Sequence, residues 1–251
     1  KQVTVGTLSP SQQQLNNLSE YYQSGYLIDA ERLALSFTQE FPQHQFAWKV
    51  LGAVLKQTGR LIDSLNAMQK SLQLAPQDSE AHYNLGITLK ELGRLEEAEA
   101  SYNQAISLKP DYAEAYSNLG IALKELGRLE EAEVSYNQAI DLKPDYAEAY
   151  YNLGNTLKDL VRLEEAEASY NQAIALKPDY AEANNNLGIT LQDLGRWAEA
   201  EASYNQAIAL KPDYAEAHLN LCELLEKMNR EDELLSFIKN ISRKIFLKKA
   251  D

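Results

Sequence analysis

Seven prolines set the terms on which this chain can fold. From Pro42 through Pro76, Pro110, Pro144, Pro178 and Pro212 every interval is 34 residues, and Pro10 precedes the series. A fixed period of this length marks a repeat array, in which each unit buries its apolar surface only against its neighbours. Glycine keeps the same beat twice. One series is Gly25, Gly59, Gly93, Gly127 and Gly195, with Val161 and Asn229 in the two remaining slots. The other is Gly52, Gly86, Gly120, Gly154 and Gly188, and Cys222 takes the next place.

Setting the proline at position 32 gives an N-terminal extension, 1–10, followed by an array over 11–248. Its seven units are 11–44, 45–78, 79–112, 113–146, 147–180, 181–214 and 215–248, the last a degenerate cap. The four units from 79 to 214 are near-copies, sharing N-L-G, S-Y-N-Q-A-I and L-K-P-D-Y. The outer units diverge, as an array requires where a unit has no neighbour to cover one face.

Each unit reads as two helices. In 113–146 the apolar residues Tyr116, Leu119, Leu123 and Leu126 recur at helical spacing, and Leu129, Ala132, Tyr136, Ala139 and Ile140 do so again. Asp111 and Glu114 have the spacing of an N-terminal capping pair, repeated at Asp145/Glu148, Asp179/Glu182 and Asp213/Glu216. Gly127 suits the left-handed residue that ends the first helix, and Pro144 stops the second. Val161 stands in that left-handed slot, where a β-branched side chain costs on the order of 1 kcal/mol or more. Gly120 and Ala132 lack bulk, which lets the paired helices approach closely.

In unit 79–112 the marker residues are Leu85, Gly86, Ala98, Tyr102, Ala105 and Pro110, and Trp48 supplies an aromatic near the start of the preceding unit. On these residues the chain resembles the tetratricopeptide-repeat family over essentially 11–230. The resemblance implies an all-α fold, a right-handed superhelical solenoid of seven helix-turn-helix units, with the first helices lining a concave wall. It also implies that positions 2, 5, 6, 9, 12 and 13 of each unit face inward.

Position 6 is the strongest signal on that wall: Asn16, Asn84, Asn118, Asn152, Asn186 and Asn220, broken only by Val50. Asparagine is a weak helix former, so propensity does not account for its recurrence in mid-helix. Its amide both donates and accepts, and so matches a peptide main chain. The repeat region of O-GlcNAc transferase is similar in carrying such an asparagine ladder. The candidate peptide-binding residues are therefore Asn84, Asn118, Asn152, Asn186 and Asn220, with Tyr83, Tyr151, Asn155 and Asn185 beside them. The competing reading is that the amides bond to neighbouring helices, or recur because the units are duplicates. A clamp for a terminal carboxylate needs basic residues at positions 2 and 5, but position 2 holds Glu80, Glu114, Glu148, Glu182 and Glu216, and Lys49 stands alone.

The formal charge of -13 disfavours nucleic acid and anionic membrane as partners. No apolar run approaches the roughly 20 residues that span a bilayer, and no secretory leader is recognised. The start at Lys1 rather than Met suggests a piece of a longer protein. Cys222 is the single cysteine, which fits a reducing, cytoplasmic setting. His44, His82 and His218 lie in separate units and read as packing residues, so no catalytic residue, metal site or cofactor is expected. The expected function is a non-catalytic scaffold for a protein or an extended peptide. Two alternatives stand beside it. Near-identical units of this type resemble the substrate-recruiting arms of bacterial glycosyl-, sulfo- and methyltransferases. Like units can also stack end to end, giving a self-assembling module with weak self-association. The tail, with Lys239, Arg243, Lys244, Lys248 and Lys249 among Ile241, Ile245, Phe246 and Leu247, reads as the capping second helix of the last unit.

Overall fold

The computed structural model describes residues 9–248, with side chains as far as Lys239. The extension up to Leu8 and the side chains of the basic tail beyond Lys239 lie outside the described residues. Fourteen helices follow one another, and no strand occurs among the described residues. The first helices of successive pairs are α1 (Gln12–Gln23), α3 (Gln45–Gln57), α5 (Ser79–Glu91), α7 (Ala113–Glu125), α9 (Ala147–Asp159), α11 (Ala181–Asp193) and α13 (Ala215–Lys227). The second helices are α2 (Leu27–Glu40), α4 (Leu61–Leu74), α6 (Leu95–Leu108), α8 (Leu129–Leu142), α10 (Leu163–Leu176), α12 (Trp197–Leu210) and α14 (Glu231–Lys248). The described residues form two compact bodies, one up to Ser135 and the other from Tyr136, divided inside α8.

Within each body the first helices touch in succession, α1 with α3, α3 with α5 and α5 with α7, then α9 with α11 and α11 with α13. The second helices α2 and α4, α4 and α6, and α10 and α12 make no such contact among the described residues. The first helices therefore lie on the inside of the bend in each body.

The helices of a pair interlock through a glycine and an aromatic ring. A Cβ on Gly86 would stand 2.5 Å from Tyr102 Cε1, and one on Gly154 would stand 2.7 Å from Tyr170 Cε1. Only a bare backbone lets the ring lie against the helix. Both rings are fully buried, as are the alanines that flank them on α6 and α10, Ala98, Ala105, Ala166 and Ala173. Fully burying a large side chain of this kind stabilises by about 1.5–3 kcal/mol.

The expected capping pairs do not form. Helices α7, α9, α11 and α13 begin after Tyr112, Tyr146, Tyr180 and Tyr214, and no side chain caps them. Asp111 is consumed by the preceding turn. Tyr112 N–H donates to Lys109 O at 3.2 Å, and the Asp111 carbonyl accepts from Ala113 N–H at 3.1 Å. The Lys109 ammonium sits 4.4 Å from the Tyr112 ring centre, a cation–π contact that recurs at Lys143/Tyr146, Lys177/Tyr180 and Lys211/Tyr214. True side-chain caps occur where the sequence diverges. Ser11 and Gln14 form a reciprocal capping box on α1, and Asp78 accepts from Ala81 N–H at 3.0 Å on α5.

Val161 adopts φ 60° and Asn229 φ 54°, in register with five left-handed glycines. Arg162 N–H reaches Leu157 O at 2.9 Å, the same closure that Arg94 N–H makes to Leu89 O. The strained valine is 77% exposed, so no packing offsets its conformation.

Candidate functional site

The position-6 asparagines of the inner face were expected to form a ladder, with bonding to the neighbouring helix as the competing reading. The structure sorts them by the partner that the preceding unit provides. In the first body, Asn118 donates its amide to the Tyr83 hydroxyl at 2.9 Å and to its own helix at Glu114 O, 3.1 Å. In the second, Asn186 donates to the Tyr151 hydroxyl at 3.2 Å and to Asn155 Oδ1 at 2.8 Å. Asn220 donates to Asn185 Oδ1 at 2.9 Å. The bonds to Tyr83, Tyr151 and Asn185 each join position 6 of one unit to position 5 of the unit before it. Asn84 and Asn152 behave differently: neither side-chain amide makes a hydrogen bond among the described residues, and both residues are only half-buried.

The flanking candidates are likewise distributed. Tyr83 packs against Tyr112 at 4.8 Å and Tyr102 at 6.1 Å between ring centres, and Tyr151 does the same with Tyr180 at 4.9 Å and Tyr170 at 6.1 Å. Burial pushes the Tyr102 and Tyr170 hydroxyls well above the usual phenol range, and nearby Tyr83 and Tyr151 add to the effect. Asn155 accepts from the Tyr170 hydroxyl at 2.8 Å. Asn185 is 0% exposed and donates to Asn186 Oδ1 and Glu216 Oε1, both at 3.3 Å. It supports its neighbours from within and does not face solvent.

The charges at the start of the first helices are occupied. Lys49 holds Asp78 at 3.1 Å as well as Glu80, and Gln45 also reaches Asp78. Burial would lower the Lys49 ammonium, but hydrogen bonds to Glu80 and Asp78 outweigh it and raise it. Lys177 meets Glu148 at 3.4 Å, and Lys211 meets Glu182 at 3.0 Å. The Lys211 hydrogen bond holds the Glu182 carboxyl below the usual range. His82 Nε2 lies 3.0 Å from Pro76 O and His218 Nε2 lies 3.0 Å from Pro212 O, pairings that need the proton on Nε2. Trp48 Nε1 makes the same bond to Pro42 O at 2.9 Å, so these histidines stand in for the tryptophan as structural donors. A depression of about 380 Å³ lies elsewhere in the first body, between Leu119, Leu123 and Val134, and none of the expected site residues lines it.

Arginines at the start of the second helices form forks that sequence reasoning missed. Arg128 binds Glu131 through Nε at 2.6 Å and Glu99 of the preceding unit through Nη1 at 2.7 Å. Arg196 repeats this with Glu199 at 2.7 Å and Glu167 at 2.6 Å, and Arg230 does so with Glu233 and Glu201. The signal was present as an arginine 29 residues after a glutamate.

Residues 88–127, 122–161, 162–195 and 191–229 each match the family model described as TPR repeat, and residues 67–100 match another described as Tetratricopeptide repeat. The chain belongs to the tetratricopeptide-repeat family. Its fold is the all-α helical solenoid of that family. Comparison with curated proteins finds no match. Among solved structures, MamA is 26% identical with a TM-score of 0.62, over 66% of this chain and 97% of that one. YrrB, described as a TPR protein with an unusual peptide-binding site, is 21% identical with a TM-score of 0.61, over 73% of this TPR chain and 95% of its own. A tetratricopeptide repeat protein from Parabacteroides merdae is 17% identical with a TM-score of 0.71, over 92% of this chain and 91% of that one. The last two likenesses concern the fold alone. Among the described residues, no helix of these TPR units is long and apolar enough to cross a membrane.

Proposed function

We propose that the chain is a non-catalytic scaffold that holds a protein segment or extended peptide along the first helices. The observation that carries this reading is the asparagine at position 6 of five consecutive units, Asn84 to Asn220, on the helices that line the inside of each bend. An amide on such a face can pair with a peptide unit through both its C=O and its NH₂. Membership of a family whose relative YrrB is described as having a peptide-binding site supports the same reading. The single Cys222, half-buried and with its thiol raised by burial, suits a reducing compartment such as the cytoplasm.

The test is enrichment of a displayed library of random peptides, each of about 12 residues, on the immobilised chain. Replacing Asn84, Asn118, Asn152, Asn186 and Asn220 together by alanine is expected to abolish enrichment while circular dichroism still reports a helical chain. Undiminished enrichment on the folded variant would remove the inner face from consideration.

A further inference from the structure

We infer that the last helix, α14, is an interaction surface for a second copy of this chain, the two copies meeting through antiparallel α14 helices about a two-fold axis. The pairing is independent of what the inner face holds.

Earlier second helices bury one stripe completely. Ala98, Tyr102 and Ala105 on α6, and Ala200, Tyr204 and Ala207 on α12, are at most 1% exposed. The first helix of the following unit packs on each, α7 on α6 and α13 on α12. On α14 the same slots hold Leu234, Ile238 and Ile241, and no helix follows it among the described residues. Ile238 is 44% exposed, and Leu235, one turn earlier, is 54% exposed. None of the described side chains of α14 is buried. The hold of α13 on α14 is weaker too. Cys222 stands in the glycine slot and Ile238 in the ring slot, so the interlock of Gly188 with Tyr204 has no counterpart here. A terminal unit ordinarily turns a polar face outward; Leu235 and Ile238 make this one aliphatic.

The sequence of α14 specifies what covers it. Glu231, Leu234, Ile238, Ile241, Ile245 and Lys248 follow at intervals of three, four, three, four and three, the seam spacing of paired helices. The seam is self-complementary about the point midway between Lys239 and Asn240. Laid antiparallel on a copy of itself, it sets Glu231 opposite Lys248, Leu234 opposite Ile245 and Ile238 opposite Ile241. A parallel pair would set Glu231 against Glu231 and Lys248 against Lys248. Charge along the helix points the same way. Its first turn carries Glu231, Asp232 and Glu233, and its later turns carry Arg243, Lys244 and Lys248. A helix acidic at one end and basic at the other fits its own reverse, and antiparallel packing also opposes the two helix dipoles. Such a contact uses the same patch on both copies, so it closes at two chains and does not run on as a filament.

Sedimentation velocity over a range of concentrations, with circular dichroism alongside, tests the pairing. The unaltered chain is expected to move from the monomer mass of 28.2 kDa toward twice that value as its concentration rises from about 1 μM to about 100 μM. Ile238→Glu is expected to keep the helicity, since the side chain is part-exposed in the single chain, and to weaken the dimer about tenfold or more. Glu231→Lys is expected to weaken it about threefold by setting like charges opposite, and Glu231→Lys with Lys248→Glu to restore it. A chain that stays a monomer at the highest concentration, or a dimer indifferent to Ile238→Glu, would overturn the proposal. A dimer unmoved by Glu231→Lys, or not restored by the double variant, would overturn the antiparallel register. A monomer that sediments with vesicles of phosphatidylserine and phosphatidylcholine would give the stripe to an anionic membrane instead.

Discussion

Tyr102 and Tyr170 occupy the same slot, one in each body, and their hydroxyls meet different surroundings. Both rings are fully buried against a bare glycine. The Tyr170 hydroxyl donates to Asn155, which also accepts from Asn186, and Asn186 in turn reaches Tyr151. The Tyr102 hydroxyl is buried without a hydrogen-bond partner among the described residues, and the residue matching Asn155 in its unit is Ile87. One substitution on the inner face thus leaves the packing alone and decides whether a buried polar atom is satisfied. Steric fit and polar satisfaction are separable in this repeat, and the second can vary from unit to unit while the first is held.

The comparison is broken most severely by removing the ring. Tyr102→Ala and Tyr170→Ala should each destabilise by about 3–5 kcal/mol, and hydrogen exchange confined to the affected body checks that the two losses are alike. Next, Asn155→Ile should make the second body resemble the first. Orphaning the Tyr170 hydroxyl costs about 1–3 kcal/mol, visible as lost protection over 147–180; unchanged protection would show that the network contributes nothing. A finer pair is Tyr170→Phe against Tyr102→Phe. The first should lower stability by about 1 kcal/mol, and the second should be neutral or raise it, because it deletes an unsatisfied group. Val161→Gly should raise stability by about 1 kcal/mol, measured as a shift in denaturant midpoint.

The comparison also extends to alkali. Burial raises both phenols above their unfolded value of about 10. The stability they contribute is fully present below that pH and is lost as pH rises through the folded-state values. Helicity should therefore fall together with the appearance of tyrosinate absorbance, and Tyr102→Phe with Tyr170→Phe should move that limit upward.

The helix pairs, their stops and the left-handed slots were legible because each is set by a residue type that permits one backbone geometry. Pro110, Gly127 and even the misfit Val161 announce themselves through spacing. The starts were misread for a local reason. Asp111 has the spacing of a cap, but a turn closing from Lys109 to Tyr112 leaves it outside the helix, while Asp78, one place later in its own unit, does cap. The inner face was legible in composition and illegible in role. Whether an asparagine is tied or open depends on a residue 35 positions earlier, so a reading that took one unit at a time could not separate Asn84 from Asn118.

The arginine forks carry a consequence for the ancestry of such a chain. A near-copy unit brings its own arginine to reach back and its own glutamate to be reached, as Arg128 and Glu99 or Arg196 and Glu167 do. A unit gained by tandem duplication therefore meets, on either side, a junction already in use, and a unit lost restores one. Length in this family can drift by whole units without redesign of any boundary, and the 34-residue period is a unit of inheritance as much as of architecture.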